Sequence, residues 1–235
     1  MPDPTAAAAV PFWCGSGARF RCPAAVGIAA TGPLAIGALR AVLPYATTDE
    51  TPTVLAGIAA NPGRENTVLW LTYLAALTLP LGVLMAARLA VRARPVLGTV
   101  GAALSWCGFI SLFVSVTIGD YAGLAVVRAR VPEPIASRLV DAVGTLPATA
   151  TASLVFVVGH IVGGLLLAAA LWRVIPVWAA LALAVSLPLH LVCAVIVPSG
   201  VLDAGAWALT ALGLAVAAAV LTRPASAAVL TGPDS

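Results

Sequence analysis

Six long apolar runs, separated by short polar breaks, decide what this chain can fold into. They occupy 24–44, 67–87, 96–118, 151–172, 175–197 and 202–222. Each supplies about the ~20 residues that an α-helix needs to cross the hydrocarbon core of a bilayer. The acidic, basic and histidine side chains inside them are Arg40, His160, His190 and Asp203. Only 9% of the chain is charged, against about 25% in a soluble domain. So few charges cannot cover a surface, so the surface must face lipid. The pattern predicts an all-α polytopic membrane helix bundle with six transmembrane helices and the lipid bilayer as its partner. That domain covers 22–223, between a disordered cytoplasmic tail (1–21) and a second cytoplasmic tail (224–235).

The basic residues are all arginine, and their placement sets a direction. Arg19 and Arg21 precede the first span, and Arg88, Arg92 and Arg94 lie between spans two and three. Arg173 separates spans four and five, and Arg223 follows span six. Alternating spans put all of these on one side, which the positive-inside rule makes cytoplasmic, along with both termini. The other side receives Asp49, Glu50, Glu65, Asp120, Glu133 and Asp141, with Arg128, Arg130 and Arg138 as the exception. Scattered arginines of this kind give no nucleic-acid surface. Span one follows Arg19 and Arg21 as a signal peptide's apolar core follows its basic end; cleavage near Ala46 would leave five spans, but retention keeps the charge pattern consistent.

Both long outer loops contain helix signals. Thr51-Pro52 reads as an N-cap with a first-turn proline, and Asn61-Pro62-Gly63 as a stop. Glu133-Pro134 opens a second short helix whose Ile135, Leu139, Val140 and Val143 share one face, an amphipathic surface helix. It would pack as a lid or gate a cavity.

Lipid gives helices no hydrophobic reason to associate, so small and polar residues mark the protein-facing side. Gly98, Gly101, Ser105, Gly108, Ser111 and Ser115 form one stripe in span three, which predicts that this span lies near the centre. Spans four, five and six carry stripes through His160, Gly163 and Gly164; Ser186, His190 and Cys193; and Asp203, Ala206, Thr210 and Gly213. Thr78-Leu79-Pro80-Leu81 in span two echoes Ser186-Leu187-Pro188-Leu189 in span five. Such an echo is what two inverted three-span halves would leave.

Ionisable groups within a span are costly and are functional candidates. Arg40, Asp120, His190 and Asp203 belong to the outer half, and His160 lies nearer the middle. Together they outline an outer-half polar cavity for a small solute or lipid, with Arg40 paired to Asp203 or Asp120. Alternatively, Arg40 snorkels to headgroups, Asp203 faces its own helix dipole, and each histidine bonds a carbonyl. His160 and His190 on adjacent spans also permit a single haem b with two imidazole ligands. A depth offset of roughly 8 Å, counted at ~1.5 Å per residue, is awkward for one iron. Cys14, Cys22, Cys107 and Cys193 form no C-x-x-C, and Cys107 and Cys193 read as small apolar side chains. No H-E-x-x-H, G-x-S-x-G or Walker loop occurs, so neither a catalytic residue nor a metal site is expected and the reading is non-enzymatic.

The stretch Asp49…Leu55…Ile58…Pro62-Gly63-Arg64, followed by R-x-R-P-x-L-G-x-V-G at Arg92–Gly101, resembles a group of bacterial six-span membrane proteins of similar length. The resemblance implies a bacterial inner-membrane location and carries no activity or catalytic residue. A scaffold that packs against another membrane protein is the competing role. The orientation has a direct check: in a variant freed of its own cysteines, new cysteines at 92 and 173 should resist an impermeant thiol reagent on intact cells and react once cells are opened. Labelling of intact cells at either position would reverse the threading.

Overall fold

The computed structural model describes residues 18–223, apart from the side chains of 18–22, 113 and 115–118. The tail segments 1–17 and 224–235, Cys14 included, lie outside those residues. Residues 18–21, expected in the tail, are instead the first turn of α1 (Ala18–Val42). There follow α2 (Thr51–Ala60), α3 (Pro62–Ala93), α4 (Pro95–Arg128), α5 (Glu133–Gly144), α6 (Pro147–Leu171) and α7 (Val177–Leu191). A π-helical turn, Val192–Ile196, continues α7, and α8 (Gly200–Leu221) completes the chain. Six of these helices are long and apolar enough to cross a membrane: α1, α3, α4, α6, α7 with its π turn, and α8. Proline opens α3, α4 and α6 and stands second in α2 and α5. Its fixed φ suits the first turn, and its missing N–H is not needed there.

Each spanning helix packs on the next in the chain, and α8 returns to α1, so the six close into a ring. Gly98, Gly101, Ser105 and Gly108 of α4 are buried as the stripe predicts, and so are the stripes of α6 and α8. The central position expected for α4 is not found. The helix that touches four other spans is α3, which leans inward against α6 and α8 as well as α1 and α4. Half of its apolar window is buried, against 33% for α4. Small residues let α4 come very close to α6 and, at Gly98, to Ala90 of α3, which is not the same as being surrounded. A Cβ on Gly163 would stand 2.3 Å from the Ser105 nitrogen, and one on Gly108 would stand 2.4 Å from the His160 nitrogen. The two three-span halves are packed differently: α3 crosses the ring, while α7 touches neither α1 nor α4 among the described residues.

Both ends of the described chain leave at the end that carries Arg88, Arg92, Arg94 and Arg173, and the other end is acidic. At ~1.5 Å per residue, the 32 and 34 residues of α3 and α4 run to roughly 48 and 51 Å. A hydrocarbon core is only about 30 Å thick. The overhang of α4 at the acidic end is where α2 and α5 pack, against α4 and against each other. Thr51 does not cap α2; Glu50 holds that position, and the Thr51 hydroxyl donates to Asp141 of α5 at 2.5 Å. In α5, Ala136 and Ser137 face the protein, while Ile135 and Leu139 are 46% and 50% exposed. That leaves an apolar ridge turned outward, as an interfacial helix requires.

The tight α4–α6 contact gives a clear expectation. Gly163→Val should lower stability by about 1–3 kcal/mol or more, the cost of overpacking. Thermal unfolding in detergent reads the effect, with Gly27→Ala, whose Cβ meets nothing within 4 Å, as the neutral control.

Candidate functional site

Three helix ends of suitable polarity meet at the acidic end. Arg40 occupies the last turn of α1, His190 the last turn of α7, and Asp203 the first turn of α8. A helix C-terminus favours positive charge and an N-terminus favours negative charge. Because α1 and α7 run antiparallel to α8 and both pack on it, these groups come together. The Arg40 Nε donates to Asp203 Oδ2, and His190 Nδ1 bonds Asp203 Oδ1. A second Arg40 nitrogen donates to the Thr47 hydroxyl. Asp203 is fully buried, whereas the side chains of Arg40 and His190 keep 14% and 13% exposure. Of the two partners foreseen for Arg40, Asp203 is the one it binds; Asp120 instead accepts a hydrogen bond from the Tyr45 hydroxyl at 2.7 Å.

The Trp207 indole N–H lies 3.0 Å from the same His190 Nδ1 that bonds Asp203. That nitrogen can donate a hydrogen bond to the carboxylate or accept one from the indole, but not both. His190 also leads inward. Its ring centroid is 5.7 Å from that of His160, and Phe109 and Trp207 complete a closed cycle of four rings. His160 is buried on α6, bonds the Phe156 carbonyl through Nδ1 and stacks on the Phe156 ring, with centroids 4.3 Å apart. Its Nε2 has no hydrogen-bond partner.

The offset in depth expected for the two histidines is not found. α6 and α7 are joined by the short turn 172–176, where Arg173 adopts a left-handed φ of 68°. His160 stands twelve residues before Trp172 and His190 thirteen after Val177. Those counts correspond to roughly 18 and 20 Å from the turn. Counting from the shared turn, rather than from the outer ends, gives the right answer. A porphyrin between the imidazoles would also have to part Phe109 from Trp207, whose ring centroids are 6.4 Å apart.

The polar column continues below: the Thr210 hydroxyl donates to Ser186 at 2.9 Å, and Ser186 to the Leu183 carbonyl at the same distance. Above Arg40 a half-open cleft of ≈ 230 Å³ is lined by Arg40, Tyr45, Thr47, Pro198, Ser199 and Gly200, among others. Close approach shapes it, since a Cβ on Gly200 would lie 2.3 Å from the Arg40 carbonyl oxygen. Burial raises the Tyr45 hydroxyl above its ordinary range, and the nearby carboxyls of Asp120 and Glu65 raise it further. Asp120 is raised by burial as well, while Tyr45 and Arg40 pull it down.

Tyr45, Thr47, Glu65 and Trp207 were not among the candidate residues. Glu65, expected on the outer side between spans one and two, lies in the first turn of α3 and is completely buried. The signal was present: Glu65, Leu69, Thr72, Ala76 and Leu79 recur at helical spacing and are all buried. Cys193 is buried and Cys107 is exposed; both are free thiols.

No protein-family model matches the chain, and no curated protein or solved structure matches it. The geometry of the site carries the functional reading alone.

Removing one partner of a buried ion pair strands the other, at a cost of about 3–5 kcal/mol, while replacing both with apolar groups can be neutral. Arg40→Met should therefore destabilise the protein far more than the double variant Arg40→Met/Asp203→Leu. Equal melting temperatures for the single and double variants would show that Arg40 is not the counter-charge.

Proposed function

We propose that this protein is a non-enzymatic, multi-pass protein of a bacterial inner membrane that binds or moves a small polar solute or lipid headgroup. The arginine end faces the cytoplasm, as the positive-inside rule requires, and the cleft opens at the opposite face. The observation that carries the reading is the cleft itself, floored by an arginine whose orientation is fixed by a buried carboxylate. Ligand pockets usually span about 300–1,000 Å³, so ≈ 230 Å³ suits a compact molecule or one headgroup rather than a drug-sized ligand. Arg40, Thr47 and Ser199 offer mostly donors, which favours an acceptor-rich ligand.

Native mass spectrometry of protein extracted in mild detergent tests this. A small-molecule adduct should accompany the wild type, decline in Arg40→Ala and Thr47→Val, and persist in Arg130→Ala, a change at an exposed site. Equal adducts in all four proteins, or none in the wild type, would favour a scaffold that acts only through its lipid-facing surface.

A further inference from the structure

The cleft above Arg40 has a polar floor and an apolar rim, and its occupant has to suit both. Arg40 is the only charged residue among those that line it. Its counter-charge, Asp203, is fully buried and does not line the cleft. A guanidinium carries five N–H groups. Arg40 commits Nε to Asp203 and one Nη2 hydrogen to Thr47, and Nη1 makes no hydrogen bond among the described residues. Those two bonds hold the group in place, and a fixed guanidinium edge is suited to the oxygens of a phosphate or carboxylate. Ser199 caps α8, and Gly200 and Val201 open that helix at the same cleft. The positive end of the helix dipole therefore adds to the arginine.

The rim is of the opposite character. Val201 lines the cleft and is 75% exposed. Its chain neighbour Leu202 is exposed too, as are Ile196 and Val197 just before the Pro198–Ser199 corner. Depth gives this rim its meaning. The 22 residues of α8 measure roughly 33 Å, against about 30 Å for a hydrocarbon core. Gly200 therefore stands where acyl chains end and headgroups begin. A soluble anion would use the arginine and leave the rim bare. A lipid uses both, with its phosphate in the cleft and its first acyl carbons on the rim.

We propose that the cleft seats a phospholipid of the leaflet at the acidic end, its phosphate on Arg40, Thr47 and the start of α8 and its chains against Val201 and Leu202. This rests on the cleft being the binding site, and commits that site to a lipid phosphate over a soluble anion. The width of the seat is set at Gly200, where a Cβ would press on the Arg40 carbonyl oxygen and spread α1 from α8.

The full chain, delipidated in detergent, would be titrated by native mass spectrometry with dioleoylphosphatidylglycerol, dioleoylglycerol, glycerol phosphate and inorganic phosphate. The phospholipid should bind as a single copy, at least about tenfold more tightly than dioleoylglycerol, which has the chains but no phosphate. Glycerol phosphate and inorganic phosphate should bind more weakly than the phospholipid. Val201→Asp should weaken phospholipid binding by about tenfold or more. An acid in a first helical turn suits the dipole, so this variant should keep the wild-type Tm. Arg40→Met/Asp203→Leu should lose the preference for the phospholipid over dioleoylglycerol, and Arg130→Ala should keep it. Equal binding of the two lipids, or wild-type affinity in Val201→Asp, overturns the lipid seat. Either soluble phosphate binding as tightly as the phospholipid overturns it as well, while leaving the cleft as a solute site. Binding of none of the four also overturns the seat; a small-molecule adduct carried through purification would then uphold the cleft by itself, so the two failures are told apart.

Discussion

A carboxylate shut away from water has to be met by charge or by hydrogen bonds, and Asp203 is where this protein answers that demand most completely. Both of its oxygens are engaged, one by Arg40 and one by His190. The groups come from three helices, so satisfying one side chain fixes how α1, α7 and α8 end relative to one another. Each charge also sits at the helix terminus that favours it.

The rest of the bundle is arranged by absence of bulk rather than by charge. In lipid, apolar surface gives no reason for helices to meet, so the closest contacts occur where backbone can touch backbone. Gly108 against His160 and Gly163 against Ser105 bring α4 and α6 together. That approach holds the His160 backbone against α4, and with it the aromatic cycle that links the interior to His190. The π turn after α7 follows Pro188, which lacks the N–H that a regular helix would use. Irregular turns of this type are frequent at functional sites, and here one lies between His190 and the wall of the cleft.

The acidic end is organised by three carboxyls in three different conditions. Asp203 is paired with an arginine and a histidine, Asp120 is held by a neutral hydroxyl, and Glu65 is bonded to nothing. Arg40 pairs directly with Asp203 and acts on Asp120 only through its charge. Glu65 is completely buried in the first turn of α3.

Hydropathy and the placement of arginine were sufficient, from sequence, for six spans, both surface helices, the small-residue faces and the candidacy of Arg40, Asp120, His160, His190 and Asp203. Those properties are local or periodic: a span is a length of apolar chain, and a face is a 3.6-residue repeat. Partner choice is neither. That Arg40 takes Asp203 over Asp120, that two histidines meet at one depth, and that α3 rather than α4 crosses the ring depend on the direction in which each helix leans. Glu65 lies between these cases, since its place on the buried stripe of α3 was legible, whereas its lack of a partner was not. Only packing settles which groups a side chain can reach, because a helix fixes where a residue points but not what stands opposite.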